Sequence, residues 1–269
     1  MRRPVLRLLL AGVAVAGLGA SLSACEPDTV RVAFRPAAGA RYSYEVRVRS
    51  VTTSRFMDRE PQRDVTSAVL RADHRVLSAE RGGVRVQVQL RTPGAPTRTF
   101  VVRFSGTAQL ADVETVEGLP ASVLGRLELP EVFPSAAGAP PDRPLAPGER
   151  WKTTDRLQLP GGGRGTVEGV GRLISLGVED GRKVASIESR TRLPLVTERE
   201  IRGGTLALEG VEISDVKSRR ALSDGSVLRA ESTTRGSFKV RLAPPSGSPG
   251  APIPGTLSVE VRSQTRRVA

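Results

Sequence analysis

The chain has 269 residues and a net charge of +13, from 41 Lys and Arg against 28 Asp and Glu. With one cysteine and one histidine it forms no internal disulfide and lacks the usual ligand set of a zinc site, and a Ser-His-Asp group would have to be built on that one histidine. Its nine aromatic residues are not interleaved with the arginines, which are spread along the chain, so the basic charge reads as a solvated surface and argues against nucleic-acid binding.

The N-terminus carries Arg2, Arg3 and Arg7, an apolar run from Leu8 to Leu18, and then Leu22-Ser23-Ala24-Cys25. A basic start, a short apolar middle and a small-residue exit make a secretory signal. The run is too short to span a bilayer as a helix, which takes about 20 residues. Leu22-Ser23-Ala24-Cys25 resembles the bacterial lipobox, in which the cysteine sulfur receives a diacylglycerol and the chain is cut before it. The expected organisation is a removed signal peptide at 1–24, a lipidated Cys25 with a short tether to residue 29, and an extracytoplasmic domain over 30–269. That places the protein on the outer side of the cell membrane, held by lipid.

Beyond residue 30 the pattern has period two, which predicts strands with one buried and one wet face. Tyr42, Tyr44, Val46 and Val48 alternate with Arg41, Ser43, Glu45, Arg47 and Arg49. His74 follows, flanked by Asp73 and Arg75, and is expected to be exposed. Val84, Val86, Val88 and Leu90 alternate with Arg85, Gln87, Gln89 and Arg91 after a turn at Arg81-Gly82-Gly83. Leu119, Val123, Leu124 and Leu127 share one side of a predicted short helix over 120–127. A Pro, Ala and Gly-rich loop is expected from Pro130 to Gly148. Further turns are expected at Gly161-Gly162-Gly163, Asp180-Gly181 and Asp224-Gly225, the Asp-Gly pairs being strong hairpin signals. Phe238, Val240 and Leu242, then Leu257, Val259 and Val261, give the last two strands, with a second loop expected from Pro244 to Gly255. The fold class is all-β with minor α: a curved antiparallel sheet or half-barrel.

Gly39-Ala40-Arg41-Tyr42 is echoed by Gly148-Glu149-Arg150-Trp151, and Arg75-Val76-Leu77-Ser78 by Arg172-Leu173-Ile174-Ser175. Two echoes in the same order suggest a duplicated β unit, with halves of about 30–130 and 145–269. Convergent strand-and-turn grammar is the competing explanation. The scarcity of lysine and absence of asparagine, whose codons both begin AA, mark a GC-rich genome. Phe34-Arg35-Pro36-Ala37-Ala38-Gly39-Ala40-Arg41-Tyr42, Pro147-Gly148-Glu149-Arg150-Trp151 and Ser223-Asp224-Gly225-Ser226 resemble phrases of uncharacterised lipoproteins from GC-rich Gram-positive bacteria. Those share a lipobox, a Phe-x-Pro-x-x-Gly-x-x-Tyr stretch and a Pro-Gly-acidic-x-Trp segment. The resemblance implies a curved antiparallel sheet, similar to the half-barrels of bacterial lipoprotein and lipid carriers, and no established activity.

Chemistry is scarce along the chain. There is no Gly-x-Ser-x-Gly elbow, and the carboxylate pairs Glu179/Asp180 and Glu198/Glu200 fall on a turn and among outward basic neighbours. Gly161-Gly162-Gly163-Arg164-Gly165 lacks the Lys-Ser/Thr of a phosphate loop. The expectation is a protein that is not an enzyme and takes no cofactor or metal. Its first expected role is to bind or carry an apolar ligand on a concave sheet face, lined by Tyr42, Tyr44 and Val46 with Trp151 near the rim. The alternative is an interaction module of the envelope, whose basic loops touch anionic wall polymer or a partner protein.

Overall fold

A computed structural model describes residues 29–80, 83–104, 110–116, 140–158, 164–201, 204–245 and 250–268. Leu22, Ser23, Ala24 and Cys25, the expected helix over 120–127 and the glycine turn at 161–163 lie outside the described residues. Eleven strands follow in chain order: β1 (Arg41–Phe56), β2 (Gln62–Glu80), β3 (Gly83–Arg91), β4 (Arg98–Phe104), β5 (Leu110–Val116), β6 (Arg150–Gln158), β7 (Arg164–Glu179), β8 (Arg182–Ile201), β9 (Gly204–Ala221), β10 (Val227–Ala243) and β11 (Ile253–Arg267). They make one antiparallel sheet in the order β5-β4-β3-β2-β1-β11-β10-β9-β8-β7-β6. Strands β1–β5 form one meander and β6–β11 another, and β1 pairs with β11 to join them. Because β5 and β6 stand at opposite ends of the ladder, the sheet is not closed into a barrel. Among the described residues there is no helix. The expected curved antiparallel sheet is the observed architecture.

The turns follow from their residues. Asp180 and Gly181 both have positive φ, 49° and 75°, the backbone of a two-residue hairpin that matches strand twist. Gly225 (φ 72°) lies in the β9–β10 turn so close to the backbone of Ala33 that a Cβ has no room. The loop expected from Pro244 to Gly255 is shorter than its composition suggested. Strand β10 runs to Ala243 and β11 starts at Ile253, so Ile253, Pro254 and Gly255 pair with Leu242, Arg241 and Val240. Proline is tolerated there because it sits at the start of the strand.

The two echoed segments are built alike. Gly39 (φ 83°) donates its N–H to the Val76 carbonyl at 2.9 Å, and Val76 donates to Ala40 at 2.9 Å. Gly148 (φ 87°) donates to Leu173 at 2.7 Å, and Leu173 donates to Glu149 at 3.0 Å. A bulge follows each, between Val76 and Ser78 and between Leu173 and Ser175. Tyr42 and Trp151 therefore enter their strands in the same way.

The segment before β1 crosses the inner face of the sheet. Val30 and Leu145 exchange N–H···O bonds of 2.9 Å, and Arg35 donates its N–H to the Asp224 carbonyl at 2.7 Å. Val32 packs with Leu145, Trp151 and Leu173 from the β6–β7 end, whereas Phe34 packs with Tyr42 and Phe104 from the β1–β4 side. Positions two residues apart on an extended chain are about 7 Å apart. One strap touching both meanders at that spacing requires the sheet to curl around it. The outer face carries exposed valines among charged residues, and is ion-paired across strands: Lys217 with Glu188 at 2.9 Å, Arg235 with Glu260 at 3.4 Å, and Arg190 with Asp215 at 3.7 Å. The Lys217 ammonium is held above its ordinary pKa by its hydrogen bond to Glu188.

Candidate functional site

The end of the sheet under the strap is filled. Tyr42, Tyr44 and Val46 are 3%, 0% and 0% exposed and pack with Phe34, Val86, Phe100, Val102 and Phe104. Trp151 is 5% exposed among Val32, Leu145, Leu173 and Ile187, its ring lying across Gly171 where a Cβ would otherwise sit. These four residues line a packed core, not an open cavity, because the strap and the β4 aromatics cover them. His74, expected outside, is buried with its ring 5.1 Å from that of Tyr44, edge to face. Its charged neighbours Asp73 and Arg75 point to the opposite face, as strand alternation requires, and His74 shares the inner face with Ala72 and Val76.

Two buried polar anchors complete this end. The Tyr42 hydroxyl donates to Asp224 Oδ2 at 2.9 Å, and the Arg267 guanidinium lies 4.7 Å from the Tyr42 ring centre. Burial, followed by the Asp224 charge, raises the Tyr42 pKa far above its ordinary value. Arg220 is fully buried and donates Nη1 to the Gly225 carbonyl at 3.0 Å; burial lowers its pKa to about 10.

The strands outrun this core. β8, β9 and β10 have 20, 18 and 17 residues, so β8 alone spans roughly 65 Å at about 3.3 Å per residue. The inner face of their far half is apolar. Register places Leu193 and Leu195 of β8, Leu206 and Leu208 of β9, Phe238 and Val240 of β10, and Leu257 and Val259 of β11 on it. All but Val240 are half-buried, whereas Pro194, Val196, Ser237, Lys239 and Ser258 on the opposite face are exposed. Phe238 lies flat because its neighbours are glycines. A Cβ on Gly210 would stand 2.6 Å from Phe238 Cδ1, and one on Gly236 2.8 Å from its Cζ. The ring fills the space that two side chains would occupy, leaving a smooth apolar floor.

Between the filled core and this floor the inner face turns polar. Ser214, Ser218, Ser232, Thr234, Ser263 and Thr265 are buried there on β9, β10 and β11. Ser214 and Thr234 share a hydrogen bond of 3.0 Å, and Ser232 and Ser263 one of 2.8 Å. The Ser189 and Ser218 hydroxyls are buried and have no hydrogen-bond partner among the described residues. Glu212 closes the band on the floor side, with Leu193 and Gly236 as its register partners on β8 and β10. Removal of water from its carboxyl raises its pKa.

Glu212 and the hydroxyl band carried no signal in the sequence. A glutamate between valine and isoleucine reads as an ordinary outward position, and only the register shows that it faces inward. Glu179 pairs with Arg219 and Arg229, each at 3.0 Å, and Glu198 and Glu200 are exposed. No protein-family model and no curated protein matches the chain. Among solved structures, the CymD monoaromatic hydrocarbon channel aligns over 86% of this chain and 89% of its own, at 10% identity and a TM-score of 0.17. Likeness at that level carries neither fold nor function to this chain.

Proposed function

We propose that the protein is a membrane-anchored extracytoplasmic lipoprotein that holds an apolar ligand, without catalysis, on the inner face of β8–β11. The observation that carries the reading is the contrast across one layer of sheet on β10 and β11: half-buried or buried Phe238, Val240, Leu257 and Val259 inside, exposed Arg235, Ser237, Lys239 and Ser258 outside. A strand only has to be apolar on one face if that face meets something apolar. The lipobox-like Leu22-Ser23-Ala24-Cys25 supports the anchor, and two acyl chains hold a protein stably at a bilayer. The role as an interaction module through basic surface draws less support, because several outer-face cations are already paired with carboxylates. The test is titration of N-phenyl-1-naphthylamine into the full chain held in amphipol. Saturable binding is expected, abolished by Leu195→Asp or Leu257→Asp with the circular dichroism of the sheet unchanged. Binding that does not saturate, or that ignores both substitutions, refutes the reading.

A further inference from the structure

Resting on the reading just given, we propose that the ligand is an amphiphile with a cationic amine head, seated with the head at Glu212 and the alkyl chain along the leucine and phenylalanine floor. The inner face has a direction. It runs from a filled core, through buried hydroxyls, to Glu212, and then to an apolar floor that continues along β9, β10 and β11, while β8 turns to Thr197 beyond Leu195. A ligand lying along it meets polar groups at one end and hydrocarbon at the other.

Three observations fix the chemistry of the head. Along β9, Glu212 stands between Gly210, beneath the Phe238 ring, and Ser214, whose hydroxyl is already bonded to Thr234. No hydrogen bond or ion pair to the Glu212 carboxyl is present among the described residues, and its nearest register partners, Leu193 and Gly236, have no polar side chain to offer. A carboxylate drawn out of water without a partner is costly, and an ammonium beside it supplies both counter-charge and hydrogen bonds. Secondly, two inner-face cations, Arg220 and Arg267, are engaged at the core end with Gly225, Ser226 and the Tyr42 ring. They offer no competing charge at Glu212. Finally, the buried Ser218 and Ser189 hydroxyls lack protein partners, so the surface beyond Glu212 is suited to a polar head and not to a hydrocarbon tail.

The experiment compares three probes of one chain length on the amphipol-held full chain: dodecylamine, dodecanol and dodecanoate. Because the amphipol background is common to every variant, the difference between wild type and Glu212→Gln reports the site. Dodecylamine is expected to bind roughly tenfold more tightly than dodecanol, the scale of one hydrogen bond to a charged group. Dodecanoate is expected to bind most weakly. Glu212→Gln should bring dodecylamine down to dodecanol without changing dodecanol itself. Glu212→Lys should move the preference to dodecanoate. The amine preference should also fade as pH falls and the carboxyl takes up a proton. Saturable binding of all three with no amine preference, or a preference that survives Glu212→Gln, overturns this proposal and leaves the apolar site standing. If none of the three binds saturably, the apolar site falls and this proposal with it.

Discussion

Trp151 and Gly171 form a pair whose coupling can be worked out in advance. Trp151 on β6 is 5% exposed, and its register partner on β7 is Gly171. A Cβ at Gly171 would stand 2.5 Å from the indole Nε1 and nearer still to two ring carbons. Trp151→Ala removes the largest side chain of a small satellite core and should cost about 3–5 kcal/mol, the range for deleting a large buried aromatic. Gly171→Ala adds one methyl where the ring lies, and should cost about 1–3 kcal/mol as overpacking. In the Trp151→Ala background that clash is gone, and alanine outranks glycine in a strand. The second substitution should then cost nothing, or stabilise slightly. The double-mutant cycle should return a coupling energy of about 1–3 kcal/mol, read from urea midpoints at constant slope. Costs for Gly171→Ala that are equal in both backgrounds would refute the stacking. With native stability of about 5–15 kcal/mol for a domain, the Trp151→Ala protein should retain a measurable folded baseline.

Cys25→Ser should leave the protein uncut before residue 25 or free of the membrane, scored by detergent partitioning; partitioning like wild type sinks the lipobox reading. Tyr42→Phe removes the hydroxyl that donates to Asp224 and should lower stability at neutral pH by about 1–3 kcal/mol, as for a hydrogen bond to a charged group. Since burial and Asp224 raise the Tyr42 pKa, the hydroxyl's contribution is whole below the unfolded tyrosine value of about 10 and is lost as pH climbs through the folded value. The gap between wild type and Tyr42→Phe in urea melts should therefore narrow at high pH. For Glu212, whose pKa burial raises, the native state favours the proton; stability from it is present below about pH 4.3 and lost as pH rises through the raised value, so Glu212→Gln should gain on wild type as pH rises from about 4.3 in the same assay. Gly225→Ala puts a Cβ against the Ala33 backbone at φ 72° and should release the strap, seen as faster proteolysis between residues 29 and 40.

The strands that alternate most regularly, β1, β3, β10 and β11, were legible because one of their faces meets a solid core or a continuous floor. The openings at Gly39 and Gly148 were legible too, since an invariant turn geometry needs glycine wherever it recurs. His74 misled because charge on its chain neighbours says nothing of its own face in a strand. Tyr42, Tyr44 and Val46 were placed on the inner face, where they lie covered: local pattern gives the side of a strand, and only the strap and β4 decide which stretch is covered. The Ile253-Pro254-Gly255 segment reads as loop by composition, yet its pairing with β10 comes from residues on another strand. Glu212 illustrates the same limit, because its inward orientation is set by register with β8 and β10.

The joint between β1 and β11 has a consequence in time. Every other pairing in the sheet links strands consecutive in the chain, so each meander consists of local contacts that close early. Tyr44 facing Arg267 is the non-local exception. As the chain emerges from its N-terminus, β1 gains β2 at once but keeps one edge of unpaired N–H and C=O groups until β11 follows. Strand β10 waits for the same partner only across residues 244–252, whereas the β1 edge stays open through most of the process; each open edge is a template for pairing with another chain. Arg47, Arg49 and Arg55 on β1, and Arg235, Lys239 and Arg241 on β10, put like charge along both waiting edges. Two copies meeting edge to edge would bring those cations together, whereas β11 brings Glu260 to Arg235.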